Sequence, residues 1–100
     1  MKKIFLFILF SVFVFGANHI VDQKKKSFIP KTLKVKVGDN IIFKNSDTFA
    51  HNAYTDNEEN EFDIGMQKPN QDIKVFIKAR GKFNVECAIH PNMLLEVEAE

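Results

Sequence analysis

The sequence has one cysteine, no tryptophan and only three prolines among its 100 residues. A single cysteine excludes an internal disulfide framework and any cysteine-rich zinc module. Neither sign of charge dominates, since 14 lysines and arginines face 13 aspartates and glutamates, so the composition gives no reason to expect a nucleic-acid partner. The length allows one small domain, which excludes a multi-domain machine and a large multi-substrate enzyme.

Residues 1–17 predict a secretory signal peptide. A pair of lysines near the start is followed by an apolar run from Ile4 to Phe15 and by the small residues Gly16 and Ala17, which is the pattern of such a leader. The run is shorter than the roughly 20 residues that a membrane-spanning helix needs, which argues against the alternative of an uncleaved anchor. We therefore expect export, most simply to a bacterial periplasm.

Removing this segment changes the character of the chain. Residues 18–100 carry 12 basic and 13 acidic residues, so the mature protein is a slightly acidic domain. In an oxidising compartment a lone cysteine has no intramolecular partner. It must be buried, modified, reactive or bound to a metal.

The mature chain lacks any apolar pattern with helical period over ten or more residues. We interpret residues 18–26 as a polar lead-in, with a short edge strand at His19–Val21 as the alternative, and residues 27–100 as the folded domain. Apolar and polar residues alternate instead with period two, which predicts strands. We predict strands near residues 33–37, 41–43, 73–77, 83–87 and 94–99, and a further short strand around His51 within residues 49–55. About six or seven short strands indicate a small all-β sandwich or barrel.

The most informative segment runs from Cys87 to Met93. It brings a thiol, the imidazole of His90 and a thioether within seven residues of one another, and these are soft or borderline donors of the kind that copper selects. A loop between two strands can point all three at one spot. A further donor must come from elsewhere, for which His51 is the natural candidate and His19 a poorer one.

These residues carry a resemblance to a known family. Cys87-x-x-His90-Pro-x-Met93, preceded by Gly81-x-Phe83-x-Val85, resembles the C-terminal ligand loop of cupredoxins, the mononuclear blue copper proteins, and is most similar to the amicyanin-like and plastocyanin-like branches. The stretch from Phe28 to Asn45, followed by His51-Asn52, resembles the other half of the family's site. The resemblance covers residues 28–99, nearly the whole mature chain.

The resemblance implies a Greek-key β-sandwich that binds one copper ion cycling between Cu(I) and Cu(II). His51, Cys87 and His90 would be its three strong ligands and Met93 its weak axial ligand. Asn52 would tie the loop of the first histidine to the cysteine loop, as outer hydrogen bonds do around metal ligands.

The function implied is that of a periplasmic one-electron carrier, not an enzyme, with His90 as the electron exit inside an apolar rim of Ile89, Pro91 and Met93. We expect a monomer with transient redox partners such as a cytochrome c or a periplasmic reductase or dehydrogenase, no nucleic acid and no stable membrane insertion. Copper delivery without redox turnover is the alternative. A hydrolase or transferase using Cys87 and His90, or a metal-free structural β-domain, fits the residues less well.

Four further segments allow hypotheses of their own. We hypothesise that the N–H of Ile89, where many relatives have proline, donates to the sulfur of Cys87. A mature chain that starts at Ala17 would place His19 third, an arrangement that chelates Cu(II). The acidic run 56–63 is most simply a solvated loop, with a docking patch as the sharper alternative. The lysines between residues 24 and 36 are most simply the solvated side of a lead-in and a strand.

Overall fold

The computed structural model describes residues 16–100, so that almost all of the predicted signal peptide, residues 1–17, lies outside the described residues. The described part forms nine strands: β1 Asn18–Lys24, β2 Ser27–Ile29, β3 Thr32–Val35, β4 Asn40–Asn45, β5 Tyr54–Thr55, β6 Phe62–Asp63, β7 Ile73–Phe76, β8 Gly81–Glu86 and β9 Leu94–Ala99. Among residues 16–100, no helix has the length and apolarity to cross a membrane.

The strands form two sheets, with the order β2-β1-β4-β7 in one and β3-β9-β8-β5-β6 in the other. The pairs β1–β4 and β3–β9 are parallel, and the other pairs are antiparallel. The predicted all-β sandwich is confirmed. It has more strands than the six or seven expected, because β2, β5 and β6 are only two or three residues long and leave no readable alternation.

The core lies between the sheets and follows the period-two pattern. In β4 the side chains of Ile41 and Phe43 are fully buried, while Ile42 between them points outward and is partly exposed. Phe43 sits at the centre of the aromatic packing, with ring centroids 6.2 Å from Phe28 and 5.9 Å from Phe62. The inward residues of β8 and β9 complete this core: Phe83, Val85, Leu95, Val97 and Ala99.

Residues 18–26, which we expected to be a polar lead-in, form β1 and the turn that follows it. The strand pairs with both β2 and β4 and buries Val21 and Gln23 completely. The Gln23 amide donates to Gln67 Oε1 at 2.6 Å and to the Lys44 carbonyl at 3.2 Å. A buried glutamine with amide partners explains why this strand has a polar sequence.

The segment 33–44, predicted to be a hairpin or a tight corner, is a corner, because β3 and β4 belong to different sheets. Gly38 turns the chain there with φ of 95°, a conformation that favours glycine. The Gly38 N–H donates to the Ile77 carbonyl at 2.9 Å. The carboxylate of Asp39 accepts the backbone N–H of Lys36 at 2.9 Å, which closes the corner.

The strand directions give the molecule two ends. Strands β1, β4 and β8 all end at the same pole, where the loops 25–26, 46–53, 64–72 and 87–93 meet; we call it the site pole. The opposite pole holds the corner 36–39 and the loop 77–80. The acidic loop 56–61 is attached to this opposite pole, because Asn60 donates to the Ala79 carbonyl at 2.9 Å and accepts the Lys78 N–H at 2.9 Å.

Candidate metal centre

Three of the predicted site residues meet at the site pole. His51 comes from the loop between β4 and β5, and Cys87 and His90 come from the loop between β8 and β9. One donor atom from each lies within 4.8 Å of the other two. The Nδ1 atoms of His51 and His90 are 3.2 Å apart, and Cys87 Sγ is 3.8 Å from His90 Nδ1.

His51 is oriented by a carboxylate. Its Nε2 lies 2.7 Å from Asp47 Oδ2, and the imidazole is fully buried. An ionised carboxylate only accepts hydrogen bonds, so Nε2 carries a proton, and in the neutral ring Nδ1 then keeps its lone pair. Because a carboxylate on the outer nitrogen fixes the tautomer and raises the basicity of the inner one, Asp47 prepares His51 Nδ1 to bind a metal.

Asp47 is itself fixed by the turn between β1 and β2. The backbone N–H groups of Lys25 and Lys26 donate to its two carboxylate oxygens at 2.7 and 3.1 Å. Both lysines have positive φ, 52° and 55°, which is the geometry of a tight two-residue hairpin turn. Burial alone would raise the pKa of Asp47, but the bonds from His51, Lys26 and Lys25 outweigh it and lower the pKa, so the carboxylate is ionised.

Backbone pairing and a buried amide hold His51 from the other side. The N–H of His51 donates to the Gln67 carbonyl at 3.0 Å, and the N–H of Gln67 donates back at 2.7 Å. The Gln67 side chain is fully buried and donates to the Phe43 carbonyl at 2.8 Å. The loop that carries His51 is therefore joined to β4 and, through Gln23, to β1.

Cys87 is 3% exposed and its sulfur faces the loop of the first histidine. The N–H of Asn52 lies 3.4 Å from Cys87 Sγ. Among the described residues this backbone group, and not the N–H of Ile89 that we hypothesised, is the donor to the sulfur. A weak hydrogen bond to a thiolate draws electron density from it.

Asn52 joins three segments around the cysteine. Its Oδ1 accepts the Ala88 N–H at 3.3 Å, and its Nδ2 donates to Asp63 Oδ1 at 2.8 Å and to the Gly65 carbonyl at 3.0 Å. The tie between the His51 loop and the Cys87 loop has therefore the form expected from the resemblance.

His90 is the partly exposed member of the group. Its ring centroid lies 4.9 Å from that of His51 and 5.4 Å from that of Phe49. Burial is the main cause that lowers the pKa of His90 below its usual value. The imidazole is therefore neutral at physiological pH, as a metal ligand must be.

Met93 is 1% exposed and belongs to the buried core. Its N–H donates to the His90 carbonyl at 3.0 Å, which closes the turn that returns the chain into β9. The predicted apolar rim is mixed: Ile89 is 43% exposed, whereas Met93 is not part of the surface. The axial role of Met93 remains a prediction.

His19 takes no part in this group and lies on β1 near the opposite pole. Its Nε2 is 2.8 Å from Asp39 Oδ2, and the N–H of Ala17 donates to Asp39 Oδ1 at 2.9 Å. Asp39 thus engages both ends of the hypothesised N-terminal copper chelate. The structure gives these residues a structural role in the sheet.

The donor set fits a copper ion in both distance and chemistry. With bond lengths of about 2.1 Å to nitrogen and about 2.3 Å to sulfur, as for zinc, two ligands of one ion can lie up to about 4.2 Å (N···N) or 4.4 Å (S···N) apart. The spacings of 3.2 and 3.8 Å lie within these limits. Two imidazoles and one thiolate form the trigonal set of a type 1 copper site, to which a weak axial thioether is added.

Two of the supporting residues were not predicted. Asp47 precedes His51 by four residues within one loop, and this spacing of a carboxylate and a histidine was an available signal. The sequence offered no such signal for Gln67, because its contact with His51 depends on how two distant loops pair.

Comparison with known proteins gives a consistent result. A family model for copper binding proteins of the plastocyanin/azurin family matches residues 16–98. Plastocyanin from Cucurbita pepo is 30% identical, over 69% of this chain and 81% of the relative. Methylamine utilization protein MauL from Methylorubrum extorquens is 34% identical, over 66% of this chain and 59% of the relative.

Coverage of the relatives varies. The chain spans only 45% of the length of chloroplastic plastocyanin from Fritillaria agrestis, at 26% identity over 64% of this chain. Among solved structures, an oxidized variant of amicyanin superposes with a TM-score of 0.75 at 26% identity, over 90% of this chain and 88% of that one.

Proposed function

Because the chain belongs to the plastocyanin/azurin family of copper-binding proteins, we propose that it is a one-electron carrier that works in the periplasm. Proteins of this family are electron carriers rather than enzymes. The observation that carries the proposal is the asymmetry of the donor group: His51 and Cys87 are buried, while His90 reaches the surface.

The proposed ligands are His51 Nδ1, Cys87 Sγ, His90 Nδ1 and, more weakly, the thioether of Met93. Copper supplies the one-electron couple between Cu(I) and Cu(II) when bound. The chain supplies donors whose protonation suits that ion. Asp47 keeps the proton of His51 on Nε2, and the lowered pKa of His90 keeps that imidazole neutral.

The surrounding bonds make the donor group rigid. Gln67 and Asp47 hold His51 from opposite sides, and Asn52 joins the His51 and Cys87 loops through both its backbone and its side chain. Ligands that cannot move keep one arrangement in both oxidation states, which keeps the reorganisation on electron transfer small. Preorganisation of this kind depends on the shell that supports the ligands.

His90 is the proposed electron exit. The rings of Phe49 and His51 pack against it from inside, while its solvent side adjoins the exposed Ile89. A redox partner that covers this edge would approach the donor group without a conformational change. We expect a transient complex with a cytochrome c or a periplasmic reductase or dehydrogenase, with an interface under about 1,200 Å².

Export is proposed from residues 1–17. The family match begins at residue 16, and Ala17 already accepts the Asn40 N–H at 2.9 Å. Both overlap the last two residues of the leader-like pattern, which supports cleavage before Ala17 and not after it.

The test is to express the full chain in a bacterium, recover it from the periplasm and load it with copper. We expect an intense visible band that disappears in Cys87→Ser, together with a reversible one-electron couple. Recovery from the cytoplasm alone would contradict the proposed location. Copper that exchanges freely, without the band or the couple, would contradict the carrier and support the delivery alternative.

A further inference from the structure

The turn between β1 and β2 places two lysines beside the proposed electron exit. The side chains of Lys25 and Lys26 are exposed, whereas their backbone N–H groups are bound to Asp47. Since Asp47 also holds His51, the turn is joined to the donor group by direct hydrogen bonds. The backbone that carries the two lysines is therefore fixed relative to the site.

The contact continues through an aromatic ring. Lys26 Nζ lies 5.6 Å from the ring centroid of Phe49, and that ring is 5.4 Å from the ring of His90. Phe49 is itself 38% exposed. One aromatic ring therefore separates the Lys26 ammonium from the His90 ring. This separation is comparable to the Debye length of about 8 Å at physiological salt, so the charge can be felt at the proposed exit.

The acids at the site pole bond to groups other than the side chains of these lysines. Besides the acids in its loops, two strand carboxylates reach this pole, Asp22 at Ser46 and Asp63 at Asn52. The four loops of this pole hold two acidic residues, Asp47 and Asp72. Asp47 accepts the bonds from the turn and from His51, and Asp72 lies 3.7 Å from Lys44. Among residues 16–100, neither Lys25 nor Lys26 forms an ion pair.

Most of the acidic run lies elsewhere, although its last member, Asp63, accepts a bond from Asn52 at the site pole. Its loop is attached through Asn60 to the opposite pole, so a basic partner attracted by it would dock away from His90. This placement argues against the docking patch that the acidic run alone suggested.

From these positions we propose that the redox partner docks on the surface formed by Lys25, Lys26, Phe49 and His90, which we call the lysine rim, and that it presents an acidic surface there. The inference rests on the proposed carrier function. Complementary charge steers encounters and raises association rates more than it raises affinity. An anionic membrane fits less well, because lipid over this surface would cover His90.

The test uses two inorganic probes of opposite charge. Reduced, copper-loaded protein is oxidised in a stopped-flow instrument by hexacyanoferrate(III) or by tris(phenanthroline)cobalt(III), at about 10 mM ionic strength, where screening is weak. We expect Lys25→Glu/Lys26→Glu to slow the anionic probe about tenfold and to speed up the cationic probe, as electrostatic steering at the exit requires.

The matched control is Lys78→Glu/Arg80→Glu, which makes the same change in net charge at exposed positions of the opposite pole. With this control, we expect the oxidation rates by the anionic and the cationic probe to stay within about twofold of the wild-type rates. The visible band and the melting temperature show whether each variant is folded, and Lys25→Gln/Lys26→Gln repeats the test with a milder change. Equal effects of rim and control variants would overturn the lysine rim.

A protein probe extends the same test. Succinylated cytochrome c, which is acidic, is expected to react faster than native basic cytochrome c with the wild type, and to lose this advantage with the rim variant. Binding to phosphatidylserine vesicles that the rim variant abolishes, without a change in either rate, would replace the protein partner with a membrane. A wild type with no reversible couple would instead refute the carrier function itself.

Discussion

The contact between Asp47 and His51 allows a quantitative test of how this site is prepared. In Asp47→Asn the Oδ2 acceptor of the 2.7 Å bond is replaced by an amide. If the Asn oxygen takes the Oδ1 position and keeps the bond from the Lys25 N–H, its NH₂ takes the Oδ2 position and faces His51 Nε2. The proton of His51 then shifts to Nδ1, which removes the lone pair that the metal needs.

The expected loss follows from the bonds in the structure. A hydrogen bond to a charged group contributes about 1.5–3 kcal/mol, and changes in outer-shell partners cost about 10–100-fold in metal affinity. We expect the dissociation constant for copper to rise by this factor. The apo protein should also unfold at a lower urea concentration, because the N–H groups of Lys25 and Lys26 lose an anionic acceptor.

The assay is a competition titration of copper against a chelator of known affinity, with the tautomer of His51 read from ¹⁵N chemical shifts of the apo protein. Asp22→Asn is the matched control. It removes the same charge from a carboxylate that contacts only an exposed serine, Ser46, at 2.7 Å. Wild-type affinity and an unchanged His51 tautomer in Asp47→Asn would refute the reasoning, whatever the control shows.

Three further predictions concern the frame around the site. The N–H of Lys36 and the contact with His19 lower the pKa of Asp39, so the carboxylate stabilises the fold above its unfolded pKa of about 3.9 and loses this effect as the pH falls through its lower folded pKa. In urea unfolding, Asp39→Asn should therefore lose about 1.5–3 kcal/mol of unfolding free energy at pH 7 and little at pH 2. Equal losses at the two pH values would contradict this. Gln67→Ala leaves the buried Gln23 amide without its 2.6 Å acceptor and should cost about 1–3 kcal/mol in unfolding free energy, whereas an unchanged urea midpoint would show that the network contributes nothing. Asn52→Ala removes the side-chain tie to the cysteine loop but keeps the backbone bond to sulfur, so cyclic voltammetry should find slower electron exchange with a retained visible band; loss of the band would mean that the tie is needed to form the site.

The sequence was sufficient for the parts of the site that are local in the chain. Cys87, His90 and Met93 share one loop, and their chemistry can be recognised from spacing alone. The alternating strands were predicted for the same reason, since burial on one face is a property of consecutive residues. His51 was the natural candidate for a further donor, and the family resemblance strengthened that choice, because only the folded chain brings it to the other donors.

The parts that could not be predicted depend on pairing between distant segments. Gln23 reads as a surface residue, yet it is fully buried because Gln67 supplies a partner from 44 positions away. Because its buried glutamine is polar, β1 could not be recognised as a strand from the sequence, and neither could the turn after it that contacts Asp47. The position of the acidic loop in the fold could not be predicted from the sequence either, because it depends on the bonds between Asn60 and the opposite pole.

The two histidines are held in different ways, and this difference suits a carrier. His51 is fully buried, paired through its backbone with Gln67 and bound through its ring to Asp47. His90 is held by the backbone bond from Met93 and by ring contacts. In the neutral ring with its proton on Nε2, the Nδ1 of His51 faces that of His90 at 3.2 Å. Asp47 and Gln67 thus hold the buried side of the candidate site, while its exposed side stays open for the proposed partner.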